Sequence, residues 1–364
     1  LVKEMFNNSP STVFDSNKNV IAQIGAERNR ENVDFSEIPS NLKNAYISIE
    51  DQRFYKHHGV DVKRTGAAIF SYIIKHGSSS FGGSTISQQL VKNLTGDDSN
   101  SINRKVKEWF YACILDNCFS KDEILNAYLN IIYTGPNIYG VKEAAKYYFN
   151  CNLSDLSLAK CAFLAGINNA PNSYNPFSDT NKTEKINKRT KTVLSKMLEL
   201  NYISQNEYDL AVKEVDEGLK FSKGNITNNS TINSYHTDAL LNEIISDFSK
   251  KYHISQDFAT NYFCLSGSSI YSTQNSQIQS TVDTECKNKK YILKSSNGED
   301  TSQTALVIID HSTGYVIACS GGLGEKTKSR GFNRATQMKR QTGSSMKPIA
   351  VLAPAIEKKL ITNV

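Results

Sequence analysis

Leu42-Lys43-Asn44-Ala45-Tyr46-Ile47-Ser48-Ile49-Glu50-Asp51-Gln52-Arg53-Phe54-Tyr55-Lys56-His57-His58-Gly59 is the stretch on which the architecture turns. Leu42, Ala45, Tyr46 and Ile49 recur at helical spacing and form one apolar stripe, which predicts an amphipathic helix. Glu50 follows the stripe directly. A carboxylate at a helix end can sit at the rim of a cleft, half desolvated by the core beneath it. Desolvation raises a carboxyl pKa, as a general base or acid near neutral pH requires. The same letters also fit a solvated charge run that closes a helix.

Working outward, the helical pattern continues. Val106, Trp109, Phe110 and Cys113 repeat the stripe. Ser120 with Glu123 is a capping-box pattern ahead of Ile124, Leu125, Tyr128, Leu129 and Ile132, and Ser204 with Glu207 repeats the box. Residues 41–215 therefore read as an all-α domain. Residues 1–40 are polar, with a β-hairpin predicted from Thr12-Val13-Phe14 and Val20 through Ile24. Residues 216–300, rich in Ser and Asn, read as a mixed linker region and the least ordered zone. In residues 301–364, Ala305-Leu306-Val307-Ile308-Ile309 and Tyr315-Val316-Ile317-Ala318 flank a turn, and a helix is expected after Gly343.

Composition narrows the class. The 364 residues are 39% hydrophobic and 21% charged, which excludes a disordered or fibrous chain and allows two to three domains. No run of 18 apolar residues is present, so no membrane-spanning helix is expected. The net charge of +6 suits anionic lipid or phosphate, and no nucleic-acid partner is expected. The first residues, Leu1-Val2-Lys3, suggest a processed or excised chain with any anchor upstream. The seven cysteines contain no C-x-x-C pair, so no zinc site is expected and most read as small core residues.

Two further constellations carry polar side chains at helical spacing. In Gly82-Gly83-Ser84-Thr85-Ile86-Ser87-Gln88-Gln89-Leu90-Val91-Lys92-Asn93, Ile86, Leu90 and Leu94 form a buried stripe. Thr85, Gln89, Lys92 and Asn93 then share another face, suited to an anionic group or to plain solvent. In Arg104-Lys105-Val106-Lys107-Glu108, an acid lies one turn from two cations, opposite the Trp109 stripe. A surface salt-bridge face reads equally well.

Taken in order, these segments resemble the first three motifs of the peptidoglycan glycosyltransferases (family 51), E-D-x-x-F-x-x-H-x-G, G-x-S-T-x-x-Q-Q-x-x-K-N and R-K-x-x-E. These are the glycan-polymerising domains of class A penicillin-binding proteins. Lys121-Asp122-Glu123-Ile124-Leu125-Asn126-Ala127-Tyr128-Leu129-Asn130 resembles the fourth motif, with Asn126 where the family often has Glu. Tyr139-Gly140-Val141, Tyr148-Phe149, Leu164-Ala165-Gly166 and Tyr174-Asn175-Pro176 resemble the fifth region, where Lys160 departs from a common acidic residue. Ser344-Ser345-Met346-Lys347 resembles the S-x-x-K nucleophile motif of penicillin-binding transpeptidases.

The resemblance implies a mainly α fold. A lysozyme-like all-α glycosyltransferase domain would be followed by a mixed α/β linker and the N-terminal portion of an α/β transpeptidase domain. It implies polymerisation of lipid II into β-1,4 glycan with release of undecaprenyl pyrophosphate. Glu50 would be the general base. Lys92, Arg104 and Lys105 would hold the donor phosphates, and Glu108 would orient those cations or help hold a metal. Its charge near Glu50 would also raise the base's pKa. Asp51, Phe54, His57, Thr85, Gln89 and Asn93 would line the substrate. Ser344 and Lys347 would be the transpeptidase nucleophile and its base, although the later S-x-N and K-T-G motifs are not in this chain and no transpeptidation is expected from it. Mg²⁺ or Mn²⁺ at the pyrophosphate is compatible, with no organic cofactor. Implied partners are lipid II, the growing glycan strand, the membrane surface and other cell-wall synthesis proteins. β-Lactams would bind only a complete transpeptidase domain. The implied location is the extracytoplasmic face of a bacterial cell membrane, through an upstream transmembrane anchor. Residues 67–75 would dip into the membrane beside a mobile loop at 77–83. A lysozyme-like hydrolase and a silent scaffold are the competing readings.

Overall fold

A computed structural model describes residues 1–26, 28, 30–66, 83–97, 99, 101–178, 180–225, 231–298 and 302–361. The expectations for residues 67–75 and for the loop 77–83 up to residue 82 lie outside them. The chain forms two compact units, Leu1–Thr231 with Asn242–Ser272, and Ile232–Leu241 with Thr273–Val364.

The first unit is helical. It holds α1 (Val2–Met5), α2 (Ser40–Glu50), α3 (Ile86–Thr95), α4 (Ile102–Cys118), α5 (Lys121–Ile131), α6 (Val141–Phe149), α7 (Leu158–Ile167), α8 (Thr183–Glu199), α9 (Gln205–Glu217), the later part of α10 (Tyr235–Tyr252), and α11 (Gln256–Leu265). Helix α7 is apolar on nearly every side and buried from Ala159 to Ile167 except at Lys160. Such a helix belongs at the centre of a core, and α2 and α8 both pack on it. Tyr46 of α2 is fully buried and donates to the Leu164 carbonyl at 3.0 Å. Both predicted capping boxes form, and Thr85 with Gln88 makes a third at the start of α3.

The N-terminal hairpin is present as β1 (Ser11–Phe14) and β2 (Val20–Ile24), antiparallel with a bulge between Val13 and Phe14. A third strand, β5 (Ser269–Tyr271), joins β1 in parallel. A small antiparallel pair, β3 (Tyr133–Gly135) and β4 (Ile138–Tyr139), interrupts the helices.

The four expected zones do not survive as boundaries. Residues 1–40 are part of the first unit: Met5 is fully buried, and Asn130 of α5 exchanges two hydrogen bonds with the Val33 backbone, at 2.9 and 3.0 Å. The described residues of 216–300 are no loose linker. Helix α11 buries Ala259, Tyr262, Phe263, Cys264 and Leu265 in the same core. Its Asn261 donates to the carbonyls of Asn93 and Leu94, at 3.2 and 3.3 Å, and so satisfies the C-terminus of α3.

One helical face differs from expectation. Of the stripe predicted on α4, Val106 and Phe110 are 51% and 64% exposed, while Trp109 and Cys113 are half-buried. The buried side carries Glu108, Ala112 and Leu115, spaced four and three residues apart, and α3 packs against this helix.

In the second unit, β6 (Leu306–Ile309) and β7 (Val316–Ser320) form the predicted antiparallel pair. Helix α12 (Ser276–Lys287) packs on β7, where Gln279 bonds both the N–H and the carbonyl of Cys319 at 2.9 Å. After α13 (Arg334–Gln337), the expected helix is a 3-10 turn (Gly343–Met346), a π turn (Pro348–Leu352) and α14 (Ala353–Glu357). Four of the seven cysteines, Cys161, Cys264, Cys286 and Cys319, are buried, and burial pushes Cys161 up to about 12. Among the described residues no helix is long and apolar enough to cross a membrane.

Candidate active site

Glu50 is the last residue of α2, so its backbone ends a helix while its side chain reaches neighbouring elements. Oε2 accepts from Gln89 Nε2 of α3 at 2.8 Å. Oε1 accepts from Asn168 Nδ2, at the end of α7, at 3.0 Å. Asn168 Nδ2 also donates to Tyr128 Oη of α5 at 2.8 Å, and Tyr128 Oη donates to Gln89 Oε1 at 2.9 Å. Four side chains from four helices thus close a ring. Tyr128 is fully buried, and burial, reinforced by the nearby Glu50 charge, holds its hydroxyl well above the ordinary value of 10.0. Tyr128 therefore stays a neutral donor.

Asp51 begins the turn after α2 and is fully buried. Oδ2 takes the Ile86 backbone N–H at 3.0 Å and meets His57 Nε2 at 2.8 Å. A carboxylate on the first N–H of α3 also complements the positive end of that helix. Thr85 caps α3 and donates its hydroxyl to the Gly59 carbonyl at 2.6 Å. Asp51, Phe54, His57 and Thr85 were expected against substrate. All four are buried. Asp51, His57 and Thr85 fasten the segment after α2 to the start of α3, and Phe54 packs edge-on against Tyr55 and His57. Lys92 and Asn93 lie on the exposed face of α3 as expected.

The acid of the third motif is not on the surface. Glu108 is 5% exposed; Oε2 accepts from Arg104 Nη1 at 2.5 Å, and Oε1 accepts from Lys105 Nζ. Lys105 Nζ also donates to Ser84 Oγ at 2.7 Å, just before α3. Helix α3 and the residues just before it therefore join the two parts, through Ser84 to Lys105 and through Gln89 to Glu50. With both oxygens engaged by cations, Glu108 adds little uncompensated charge to its surroundings. A cavity of about 480 Å³ is lined by Lys92, Arg104, Lys107 and Glu108 together with Val91, Leu115 and Phe258.

A protein-held divalent ion needs several free oxygen donors. Both Glu108 oxygens are taken, and no group of three His, Cys, Asp or Glu side chains assembles among the described residues. Ser344 and Lys347 lie on and just after the exposed 3-10 turn of the second unit, where the Lys347 backbone N–H donates to the Ser344 carbonyl.

Sequence reading missed Ser84, Tyr128 and Asn168 as site residues. Tyr128 was visible only as a stripe residue, and Ser84 only as a letter before the cap. Asn168 lies between two quoted motif fragments, and nothing in its neighbours marks it.

Helices gathered on α7, a helix-end carboxylate and a carboxylate-clamped pair of cations define a transglycosylase-type domain. The chain belongs to the transglycosylase family, whose sequence profile matches residues 17–198. Penicillin-binding protein 1A of Clostridium botulinum (strain Hall) is 38% identical to it over 97% of this chain and 44% of that protein. Penicillin-binding protein 1A/1B of Bacillus subtilis (strain 168) is 36% identical over 96% of this chain and 36% of that protein. The chain spans less than half the length of these two relatives. The crystal structure of penicillin-binding protein 1A from Haemophilus influenzae aligns at 20% identity with a TM-score of 0.41, over 94% of this chain and 51% of that one.

Proposed function

We propose that the first unit is a peptidoglycan glycosyltransferase that polymerises lipid II, and that it belongs to a bifunctional penicillin-binding protein. The observation that carries this reading is the cavity shared by Lys92 and Arg104 with apolar side chains. Cations beside an apolar wall suit a phosphorylated lipid rather than a neutral glycan. A hydrolase that splits a neutral strand with water has no use for that charge.

In the proposed step, the 4-hydroxyl of the acceptor attacks C1 of the donor. The C1–O bond to pyrophosphate breaks, and its electron pair leaves with the lipid pyrophosphate. Glu50 takes the hydroxyl proton. Arg104 and Lys105, held by Glu108, stabilise the charge on the leaving group. Any Mg²⁺ or Mn²⁺ would arrive on the pyrophosphate oxygens. The natural setting would be the outer face of the bacterial membrane, beside other cell-wall proteins, with the growing glycan strand as donor. β-Lactam binding at Ser344 would require further transpeptidase elements.

The test is incubation of the chain with labelled lipid II, resolving products by size, beside Glu50→Gln. Polymer ladders that vanish in Glu50→Gln support the reading. Bound lipid II without polymer points to a silent scaffold, and cleavage of preformed glycan points to a hydrolase.

A further inference from the structure

We infer that Asn168 is a positioning residue for Glu50, acting with Tyr128 and Gln89 as one closed hydrogen-bonded ring. The inference rests on the glycosyltransferase reading of Glu50 but concerns a residue that reading leaves without a role.

Every bond direction in the ring follows from the carboxylate. An ionised carboxylate only accepts. Gln89 and Asn168 must therefore both present their NH₂ groups to Glu50, at 2.8 and 3.0 Å. The Gln89 carbonyl oxygen then faces Tyr128 and takes its hydroxyl proton at 2.9 Å. Tyr128 Oη, having given its proton, accepts the second Asn168 hydrogen at 2.8 Å. No member can turn over without breaking two bonds, so the ring fixes the plane of the carboxylate. Each Glu50 oxygen accepts one bond in the ring and keeps a second acceptor position for an incoming hydroxyl.

Asn168 has the pivotal place because one amide nitrogen serves two acceptors. It stands at the C-terminal cap of α7, the most buried helix of the unit, so its backbone is anchored independently of Glu50. Without its NH₂ group, Glu50 Oε1 loses the anchor opposite Gln89, and the carboxylate is free to swing about the Gln89 bond. A base displaced by a fraction of an ångström loses alignment with the attacking hydroxyl without losing substrate affinity.

The experiment compares Asn168→Ala, the near-isosteric Asn168→Asp, Tyr128→Phe and the Asn168→Ala/Tyr128→Phe double variant. It measures kcat and KM for lipid II polymerisation and thermal unfolding. Asn168→Ala should lower kcat roughly 10–100-fold with KM within about twofold. Asn168→Asp, which supplies no donor and adds a like charge, should lose at least as much. The double variant should lose little more than the worse single variant, as members of one unit do. Wild-type kcat in Asn168→Ala, or losses that multiply in the double variant, would overturn the inference. A folding defect is recognised by the unfolding curve. If the wild type makes no polymer, the functional reading fails, and the ring is judged by NMR. The Asn168 side-chain amide protons should then exchange slowly in the wild type and fast in Glu50→Ala; equal rates in both would refute the ring.

Discussion

Gly59 and Ala112 meet through their backbones. A Cβ placed on Gly59 would lie 2.3 Å from the Ala112 carbonyl oxygen, and Gly59 adopts φ +82°. The turn after α2 is thereby pressed directly onto α4, the helix that carries Arg104, Lys105 and Glu108. Because the obstruction is backbone, no side-chain rotation relieves it. Gly59→Ala is expected to destabilise the chain by about 2–3 kcal/mol through combined strain and clash. Urea unfolding measures the loss. A midpoint equal to wild type would mean that α4 can retreat from the turn freely.

Asp51 should matter for stability more than for substrate. It holds Ile86 N–H and His57 at once, in full burial. Removing it leaves a helix N–H and an imidazole nitrogen without their partner. Asp51→Ala is expected to cost roughly 2–3 kcal/mol, the range for buried bonds to a charged group. Asp51→Asn keeps the acceptor and should cost less. Were Asp51 a substrate contact instead, Asp51→Asn would lose polymerisation with an unchanged unfolding midpoint.

Much of this was legible in the sequence, for identifiable reasons. Helices α2 and α5 and the capping boxes depend on local spacing, and local spacing is what periodicity reports. The face of α4 misled because Glu108 is buried with two cations, so the charged side faces inward and Val106 and Phe110 face out. The cation that clamps this acid, Lys105, is itself held by Ser84 before α3, 21 positions upstream, which no helical stripe encodes. The linker misreading has a similar cause. Asn261 is a polar letter in sequence, yet in space it caps α3, 167 positions away. The link from Glu50 to Asn168 spans 118 positions and is equally invisible to pattern.

His236 makes the second unit sensitive to acid. Its Nε2–H donates to the Val316 carbonyl at 2.9 Å, and its Nδ1 is buried with no partner among the described residues. Burial pushes the imidazole below its ordinary 6.5, outweighing the lift from that carbonyl. The folded state therefore binds fewer protons than the unfolded state just below pH 6.5. His236 contributes its full stability above that pH and loses it as pH falls toward the folded value. Urea midpoints measured from pH 7.5 to 5 should fall more steeply in the wild type than in His236→Gln. Parallel slopes would show that His236 is not the group responsible.

Glu108 should act through its cations. Glu108→Gln keeps the shape but removes the charge that gathers Arg104 and Lys105. Two unbalanced cations would then separate, and phosphate stabilisation would weaken. Expected is a drop in kcat/KM of roughly 10–100-fold for Glu108→Gln, and a similar drop for Lys105→Met, which also loses the Ser84 bond. The double variant should lose less than the product of the two. Full additivity in lipid II polymerisation assays would separate Glu108 from the cations it touches.

The outward stripe on α4 predicts an encounter with lipid. Ile102, Val106, Phe110 and Ile114 recur every four residues and are 85%, 51%, 64% and 43% exposed. At that spacing the four side chains follow neighbouring turns of one helix, and Ile114 also borders the cavity of about 480 Å³. Basic Lys107 belongs to the same helix. An apolar face with flanking cations suits the interface of an anionic bilayer, where each buried large side chain contributes about 1.5–3 kcal/mol. The double substitution Val106→Asp/Phe110→Glu replaces two such side chains with charges of the wrong sign. It should lower cosedimentation with phosphatidylglycerol vesicles at least roughly tenfold, and leave the thermal midpoint near wild type, because neither side chain is in the core. Unchanged vesicle binding would assign the patch to a protein partner or to none, and a collapsed midpoint would mean that the α4 face is covered within the fold.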